Sequence, residues 1–251
     1  KAGKDVLIEK PITVKVREAD KLISRAEKKG CVLQVGHLER YNPALLAASD
    51  MIKNPMFIES ERFSPFFGRG TDVDVTLDLM IHDLEIILHL VDSPVESIDA
   101  VGVPVVSDAI DIANARLEFA GGCVANLTAS RISPAGMRKI RLFQKDNYLS
   151  FDLKDKKVDS YSLVDENFDS KNLKGFSTSF EYWETGKKIV FHKPECGTYD
   201  MLEEELRQFI AAVRDDTVPP VSGEDGLAAL EIAVEIERKA WESLKKIDSN
   251  L

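Results

Sequence analysis

Residues 5–36 read DVLIEKPITVKVREADKLISRAEKKGCVLQVG, and they contain two short apolar runs on either side of a helical pattern. The runs, at 5–9 and 31–36, have the length and apolar character of buried strands. Between them, apolar residues recur at helical spacing, with Thr13 as the expected N-cap and Gly30 as the expected end of the helix. A strand, a helix and a strand within about 30 residues predict a βαβ unit and therefore a parallel sheet.

The rest of the chain has a different pattern, in which strands follow one another between helices. Asn42 and Pro43 are typical of a helix N-terminus. Two helices are expected at the end of the chain, and the second runs from Ser222 to about Leu244, with Asp225 completing a variant capping box at its start. Residues 165–198 give no assignable pattern. Alternating or apolar runs predict strands at 56–63, 96–103, 112–119, 123–130, 138–144, 147–152 and 158–164. The sequence thus predicts an α/β part in residues 1–40 and an α+β part in residues 41–251.

The composition is that of an ordinary globular protein. The 251 residues are 44% hydrophobic and 30% charged, with a formal net charge of −10. The acidic residues are dispersed and no basic stripe is interleaved with aromatic residues, so we expect no nucleic-acid partner. No apolar run reaches the roughly 18 residues of a membrane span, so we expect no membrane partner. Cys31, Cys123 and Cys196 are odd in number and far apart, which favours a reducing cytoplasm over a disulfide framework.

The helix predicted at residues 77–90, LDLMIHDLEIILHL, carries ionisable residues in an otherwise apolar pattern. Asp78, His82, Glu85 and His89 would lie on one face of a regular α-helix. They could be satisfied polar groups, metal ligands or acid–base residues. A metal site is the weakest reading, because four ligands along about 16 Å of helix cannot meet one ion. As an acid–base group, His82 titrates near neutrality, and Asp78 could orient its ring or share a substrate.

Two further motifs follow the predicted parallel strands. Glu9-Lys10-Pro11 stands at the carboxyl end of the first strand, where open α/β sheets bind ligands. Lys10 could polarise a hydroxyl or carbonyl oxygen there, or it could be an ordinary surface lysine before a turn. After the second strand, VGHLERYNP carries His37, Arg40 and Asn42. Arg40 could meet a phosphate, or it could pair with an acid across the junction between the two parts of the chain.

Several segments, taken in this order, resemble the Gfo/Idh/MocA family of NAD(P)-dependent oxidoreductases, named for glucose–fructose oxidoreductase and inositol dehydrogenase. They are EKPI (9–12), GHLERYNPA (36–44), LDLMIHDLEII (77–87), DIANARLEFAGGCVANLTASR (111–131) and the helical segment 202–240. The resemblance implies that residues 1–40 are the C-terminal part of a Rossmann dinucleotide-binding domain. It implies that residues 41–251 form an open, mostly antiparallel sheet with helices on one face, for substrate binding and oligomerisation. The last helices could pack back on the Rossmann part.

The resemblance also implies roles for individual residues. Lys10 would lie by the nicotinamide and the reacting hydroxyl, His82 would be the general base, and Asp78 would position the substrate or the imidazole. Glu85 and His89 are expected to be structural, and no metal is expected. The expected contacts of the cofactor, NAD or NADP, are Glu9, Lys10, Pro11, His37, Arg40 and Asn42.

The activity implied by the resemblance is hydride transfer from a sugar, nucleotide-sugar or polyol hydroxyl to the nicotinamide. The spellings GHLERYNPA and DLMIHD look more like the branch that oxidises nucleotide-activated N-acetyl sugars at C3. An NAD-dependent glycoside hydrolase of the same family and a non-catalytic oligomerisation fragment are the alternatives. A homodimer or homotetramer formed through the sheet is expected, and small or apolar residues on the strands, such as Ala113, Leu117 and Leu127, favour it.

Two features depart from the family pattern. The sequence has no strand followed by Gly-x-Gly-x-x-Gly and a helix, and no acidic residue placed to bind the adenosine ribose. We therefore expect about a hundred family residues upstream, and little dinucleotide affinity in this chain alone. In addition, DVDVTLD (72–78) replaces the glycines that usually precede the aspartate, so the entrance to the active site is expected to differ.

Overall fold

The structure is a computed structural model that describes residues 2–66, 68, 73–182 and 186–248. Strands β1 (Val6–Glu9) and β2 (Leu33–Gly36) pair in parallel and are joined by helix α1 (Val16–Glu27). The predicted βαβ unit is therefore confirmed. The helix starts later than predicted, because the Thr13 hydroxyl donates to the carbonyl oxygen of Lys15 instead of capping the first turn. Gly30 follows the helix with a φ of +57°, which favours glycine.

The larger sheet of the described chain has nine strands, and all but one of its neighbouring pairs are antiparallel. Its strands are β3 (Pro55–Phe63), β4 (Val95–Val103), β5 (Ile112–Phe119), β6 (Val124–Ser130), β7 (Met137–Gln144), β8 (Asn147–Asp152), β9 (Lys157–Asp165), β10 (Gly175–Glu181) and β11 (Lys187–Pro194). Their order across the sheet is β10-β11-β9-β8-β7-β3-β6-β5-β4, with β3 and β6 parallel. Strands β3 to β9 confirm the seven predicted strands. Strands β10 and β11 lie in residues 165–198, the segment that gave no assignable pattern.

One face of this sheet is covered and the other is open. Helices α2 (Pro43–Ala47), α3 (Ile81–Leu90) and α5 (Gly223–Asp248) contact strands β8, β3 and β4, respectively. The alternating apolar residues of β5 and β6 are buried, namely Ala113, Ala115, Leu117, Ala125, Leu127 and Ala129. Their strand neighbours Arg116 and Glu118 are exposed. The predicted architecture, an open and mostly antiparallel sheet with helices on one face, is confirmed.

The helix predicted at 77–90 begins with a π-helical segment, Thr76–Met80, and continues as α3. Single π-turns inside α-helices occur frequently at functional sites. The π-helical segment also interrupts the regular α-helical spacing, and the ionisable residues of this helix do not share one environment. Glu85 is buried and His89 is exposed, while the side chain of Asp78 is about one-third exposed.

The C-terminal helices are α4 (Met201–Asp215) and α5. The predicted capping box of α5 is confirmed, because the Ser222 N–H donates to Asp225 Oδ2 at 2.7 Å and the Asp225 N–H donates to Ser222 Oγ at 3.1 Å. Helix α5 contacts α1 and β2 as well as β4, so it connects the two sheets. Within the described residues, no helix is both long and apolar enough to cross a membrane.

Candidate active site

Lys10 and Asp78 lie 68 residues apart in the sequence and are in direct contact. Lys10 Nζ donates to the backbone carbonyl oxygen of Asp78 at 2.6 Å and lies 3.8 Å from Asp78 Oδ1. Their side chains are 22% and 33% exposed, so both can still be reached from solvent. Lys10 directly follows the carboxyl end of β1, and Asp78 lies in the π-helical segment before α3. The structure thus brings together two of the three residues proposed for catalysis.

The environment of Lys10 favours its neutral form more than water does. Burial of the ammonium lowers the pKa of Lys10, and the Asp78 carboxylate partly opposes this effect. A lysine with a lowered pKa gives up a proton more readily than an exposed one, and a partly desolvated ammonium acts more strongly on a nearby negative charge. Both properties suit a group that stabilises an oxyanion.

His82 is the third residue proposed for catalysis, and it lies at the start of α3. Its Nδ1 atom is buried and has no hydrogen-bond partner among the described residues. Burial, followed by the charges of Arg62 and Lys10, lowers the pKa of His82 well below its usual range. The imidazole is therefore neutral near pH 7, which is the form that can accept a proton.

His37 lies beside His82 in the interior. The two ring centroids are 6.3 Å apart and the rings are nearly perpendicular. His37 has no exposed surface, and neither of its ring nitrogens has a partner among the described residues. Burial and the charges of Arg40 and Lys10 lower its pKa to about 4, so this ring is also neutral. His37 thus packs against His82 in the interior, and its expected contact with the cofactor stays a prediction.

Arg40 and Asn42, two other expected cofactor contacts, are used inside the chain. Arg40 forms an ion pair with the buried Glu85 and donates to the carbonyl oxygen of Pro220 at 3.3 Å. Of the two roles left open for Arg40, the structure shows the pairing with an acid. Asn42 caps α2 through the Ala44 N–H, and its amide also donates to the carbonyl oxygen of Leu153 at 2.9 Å. Asn42 is completely buried and its amide is used within the chain, so its contact with the cofactor stays a prediction.

Glu9 and Pro11 remain accessible on either side of Lys10. Glu9 is the last residue of β1 and is exposed, and the Lys10–Pro11 peptide bond is cis. His89, at the other end of α3, is exposed and far along the helix from Asp78. In the described residues, no group of three or more His, Cys, Asp or Glu side chains is arranged to hold a metal ion.

The segment that leads into the π-helix is anchored by Asp74. Its carboxylate accepts from the Ile110 N–H at 2.6 Å and from Trp241 Nε1 at 2.7 Å. These contacts fix the chain four residues before Asp78, within the segment where the sequence departs from the family pattern. That departure covers residues 72–78, of which Asp72 lies outside the described residues.

A group of buried charges next to the site was missed from the sequence. Arg62 on β3 pairs with Asp83 of α3 and with Glu39 after β2, and all three are buried. The strand alternation contained the signal, because Ser60 and Arg62 have the same phase as the buried Ile58. A polar residue at a core position of a strand requires a partner, and a single sequence does not identify that partner.

A second buried carboxyl, Glu205 on α4, leads to a pH-dependent stability prediction. Its Oε1 atom has no partner among the described residues, and burial together with the charge of Glu9 raises its pKa to about 7. The folded state therefore binds this proton more tightly than the unfolded state, in which the carboxyl has its ordinary pKa of 4.5. The resulting stability is present below pH 4.5 and is lost as the pH rises to about 7.

At high pH the folded protein is destabilised because the buried Glu205 carboxyl must ionise. Glu205→Gln removes this destabilisation because the amide stays neutral. We expect the variant to raise Tm by about 2–6 °C at pH 8 and by much less at pH 5. Thermal unfolding at both pH values, with Glu203→Gln on the exposed side of the same helix as the control, measures the difference. An equal change at both pH values would show that Glu205 is not protonated in the folded protein.

Comparison with known proteins supports one family throughout. A family model described as an oxidoreductase family with an NAD-binding Rossmann fold matches residues 1–37. A second, described as the GFO/IDH/MocA C-terminal domain, matches residues 58–148. Two separate segments of the chain therefore match models of the same family.

Among curated proteins, UDP-N-acetylglucosamine 3-dehydrogenase of Acidithiobacillus ferrooxidans is 42% identical over 152 residues. That match covers 60% of this chain and 49% of the relative, so the aligned part spans about half of that protein. The scyllo-inositol 2-dehydrogenase (NAD(+)) of Bacillus subtilis is 24% identical over 254 residues, covering 92% of this chain and 67% of the relative.

Among solved structures, the UDP-N-acetylglucosamine 3-dehydrogenase GnnA from Acidithiobacillus ferrooxidans superimposes with a TM-score of 0.82 at 31% identity. The match covers 95% of this chain and 72% of that one. A levoglucosan dehydrogenase in complex with NADH and levoglucosan has a TM-score of 0.77 at 15% identity, covering 96% and 72% of the two chains. At that identity the likeness shows the fold alone.

Proposed function

This chain belongs to the Gfo/Idh/MocA family of oxidoreductases, and we propose that it carries the catalytic residues of an NAD(P)-dependent dehydrogenase that oxidises a sugar hydroxyl. The observation that carries the proposal is the contact between Lys10 and Asp78, which joins the end of a parallel strand to the helix that bears His82. Residues 1–40 would belong to the dinucleotide-binding domain and residues 41–251 to the substrate domain. The scattered cysteines support a reducing cytoplasm as its location.

The residues present fit the nicotinamide end of a dinucleotide. Lys10 lies at the carboxyl end of a parallel strand, where open α/β sheets bind dinucleotides, and it is not neutralised by a buried partner. Glu9, Lys10 and Pro11 would hold this end. When bound, the nicotinamide supplies the hydride acceptor. The sequence contains no glycine-rich phosphate loop, so the proposed contacts are those at the nicotinamide end.

Each catalytic side chain has a role that matches its environment. His82 is neutral and takes the proton of the substrate hydroxyl. The Lys10 ammonium stabilises the negative charge that develops on that oxygen as the proton leaves. Asp78 holds the Lys10 ammonium through its backbone carbonyl oxygen and its carboxylate. The Asp78 carboxylate is also accessible, so it can accept a hydrogen bond from a hydroxyl of the substrate.

For the substrate, we favour the C3 hydroxyl of a UDP-linked N-acetyl sugar. The relative with 42% identity is named for UDP-N-acetylglucosamine, and the inositol dehydrogenase is more distant at 24%. The GHLERYNPA and DLMIHD segments of this chain agree with that choice.

The test is to incubate the full-length protein with NAD or NADP and each candidate substrate, and to follow absorbance of the reduced nicotinamide. We expect reduction with UDP-N-acetylglucosamine and little with myo-inositol or glucose. Cleavage of the sugar–phosphate or glycosidic bond without net reduction would favour the glycoside hydrolase alternative. Absence of both reactions, with the cofactor bound, would contradict the proposal.

We also propose that the protein self-associates through the open face of the large sheet. The residues we expected to contribute, such as Ala113 and Leu127, lie on the covered face, so they cannot form this interface. The open face carries instead a row of aromatic rings on six strands, with neighbouring centroids 4.7 to 6.3 Å apart. The row consists of Phe57, Phe143, Tyr148, Tyr161, Phe191 and Phe176. Such a row favours a partner sheet, as a homodimer or homotetramer.

Tyr161→Glu tests this interface, because the residue is 40% exposed and lies in the middle of the row. Sedimentation at micromolar concentration should show an oligomer for the wild type and a smaller species for the variant. The buried carboxylate would raise the dissociation constant by about 10- to 100-fold. Val218→Glu, at an exposed apolar position outside the sheet, is the control. A wild-type protein that sediments as a monomer would contradict the proposal.

A further inference from the structure

Arg62 is the most deeply buried cation near the proposed site. It lies on β3, which is an interior strand of the large sheet, and it is 3% exposed on the face that the helices cover. Taking a guanidinium out of water is unfavourable unless carboxylates and hydrogen bonds compensate. A shape-matched apolar residue often gives equal or greater stability at such a position, so stability alone does not explain Arg62.

The guanidinium of Arg62 joins two carboxylates from different segments. Its Nε and Nη2 atoms donate to Asp83 Oδ1 at 2.9 and 2.6 Å, and its Nη1 atom donates to Glu39 Oε1 at 3.2 Å. The remaining oxygens are also bonded: Asp83 Oδ2 accepts from Ser60 Oγ at 2.7 Å, and Glu39 Oε2 accepts from the Asn42 amide at 3.0 Å. Every carboxylate oxygen of the group therefore has a fixed donor.

These two carboxylates lie close in sequence to His82 and His37. Asp83 directly follows His82 on α3, and Glu39 comes two residues after His37. We propose that Arg62 is a positioning residue for the dehydrogenase proposed above: by holding Asp83 and Glu39 in one clamp, it fixes His82 against His37 and toward Lys10. The inference rests on the proposed function for its catalytic consequence, but the clamp itself is a property of the fold.

The same arrangement places Arg62 among the charges that act on His82. The groups that act on the pKa of His82 are Arg62 on β3, Lys10 after β1, His37 after β2 and Arg138 on β7. The carboxylates around them are ion-pair partners of these cations: Asp78 of Lys10, Asp83 of Arg62 and Glu39 of Arg138. Apart from burial, Arg62 is the largest contribution that lowers the pKa of His82. Its removal should therefore raise that pKa.

Two substitutions separate geometry from charge. Arg62→Lys keeps a cation but replaces a planar fork by a single point of attachment, so it cannot hold both carboxylates in the same way. We expect kcat to fall by about 10- to 100-fold, with the KM for cofactor within about threefold, because small displacements of a catalytic base are costly. Arg62→Met removes the charge and should raise the pKa of His82. In this variant, the acid limb of the pH profile of kcat/KM should therefore lie at higher pH than in the wild type.

A readout that does not need activity keeps the inference separate from the proposed function. The chain has four histidines, and an NMR titration with His82→Gln as the assignment standard follows the ring of His82 directly. In Arg62→Met the titration of His82 should move to higher pH, whereas in Arg62→Lys it should stay close to that of the wild type. Arg238→Lys, a substitution at an exposed arginine that also pairs with two carboxylates on α5, is the control.

If Arg62→Met does not fold, Arg62→Lys alone decides, since it retains the buried charge. Turnover of Arg62→Lys within twofold of the Arg238→Lys control would overturn the positioning role. An unchanged His82 titration in folded Arg62→Met would overturn the electrostatic part. A moved titration in a protein that reduces no nicotinamide would refute the proposed function and leave the clamp intact.

Discussion

His82→Ala is expected to lower kcat by about 10²- to 10⁴-fold while the affinity for cofactor stays nearly unchanged. The reason is that His82 is neutral and lies one turn after Asp78. Its buried Nδ1 atom has no hydrogen-bond partner among the described residues. Removal of the ring therefore takes away a proton acceptor and its edge contact with the His37 ring, but it breaks no hydrogen bond of Nδ1 with the described residues. Steady-state rates of nicotinamide reduction in the full-length protein measure the effect.

His89→Ala is the matched control for this substitution, because His89 lies on the same helix and is exposed. Its kcat should stay within about twofold of the wild type. Similar losses in both variants would mean that α3, and not the His82 imidazole, is what the first substitution damages. A His82→Ala enzyme with nearly full activity would remove His82 from the mechanism.

Lys10→Met is expected to lower kcat by about 10²- to 10³-fold, and by more than it raises the KM for cofactor. Methionine fills a similar volume, so the change removes the ammonium and its contacts with Asp78 while it keeps most of the packing. The loss should fall on turnover, because the charge is needed most when the hydroxyl oxygen becomes negative.

The control for Lys10→Met is Lys21→Met, at an exposed position of α1. Separate titrations of cofactor and sugar assign the effect to kcat or to one of the two KM values. A variant that turns over normally at saturating cofactor would mean that Lys10 binds the dinucleotide and takes no part in the chemistry.

Most of the fold could be predicted because the strands alternate or are apolar along their length. The βαβ unit, seven strands of the large sheet and the capping box at Ser222 follow from such local patterns. Strands β10 and β11 could not be predicted in this way. Strand β10 has no buried residue, so it has no core-facing side whose residues would alternate with exposed ones in the sequence.

The candidate site was predictable only in part. The spacing of Asp78 and His82 indicated a functional face, but the π-helical segment changes the geometry on which that argument depended. Ion pairs between distant segments, such as Arg40 with Glu85 and Arg62 with Asp83, depend on tertiary packing. A single sequence shows that a charge is present, and it does not show which distant partner the fold brings to it.

The central claim is that Lys10, Asp78 and His82 serve direct hydride transfer from a sugar carbon to a nicotinamide. Its most direct test uses UDP-N-acetylglucosamine with deuterium at C3, the full-length protein and NAD, followed by mass spectrometry of the reduced cofactor. The account predicts one deuterium in each reduced nicotinamide, and loss of this product in His82→Ala. Reduced cofactor without deuterium, or deuterium transfer that survives His82→Ala at the wild-type rate, would contradict it.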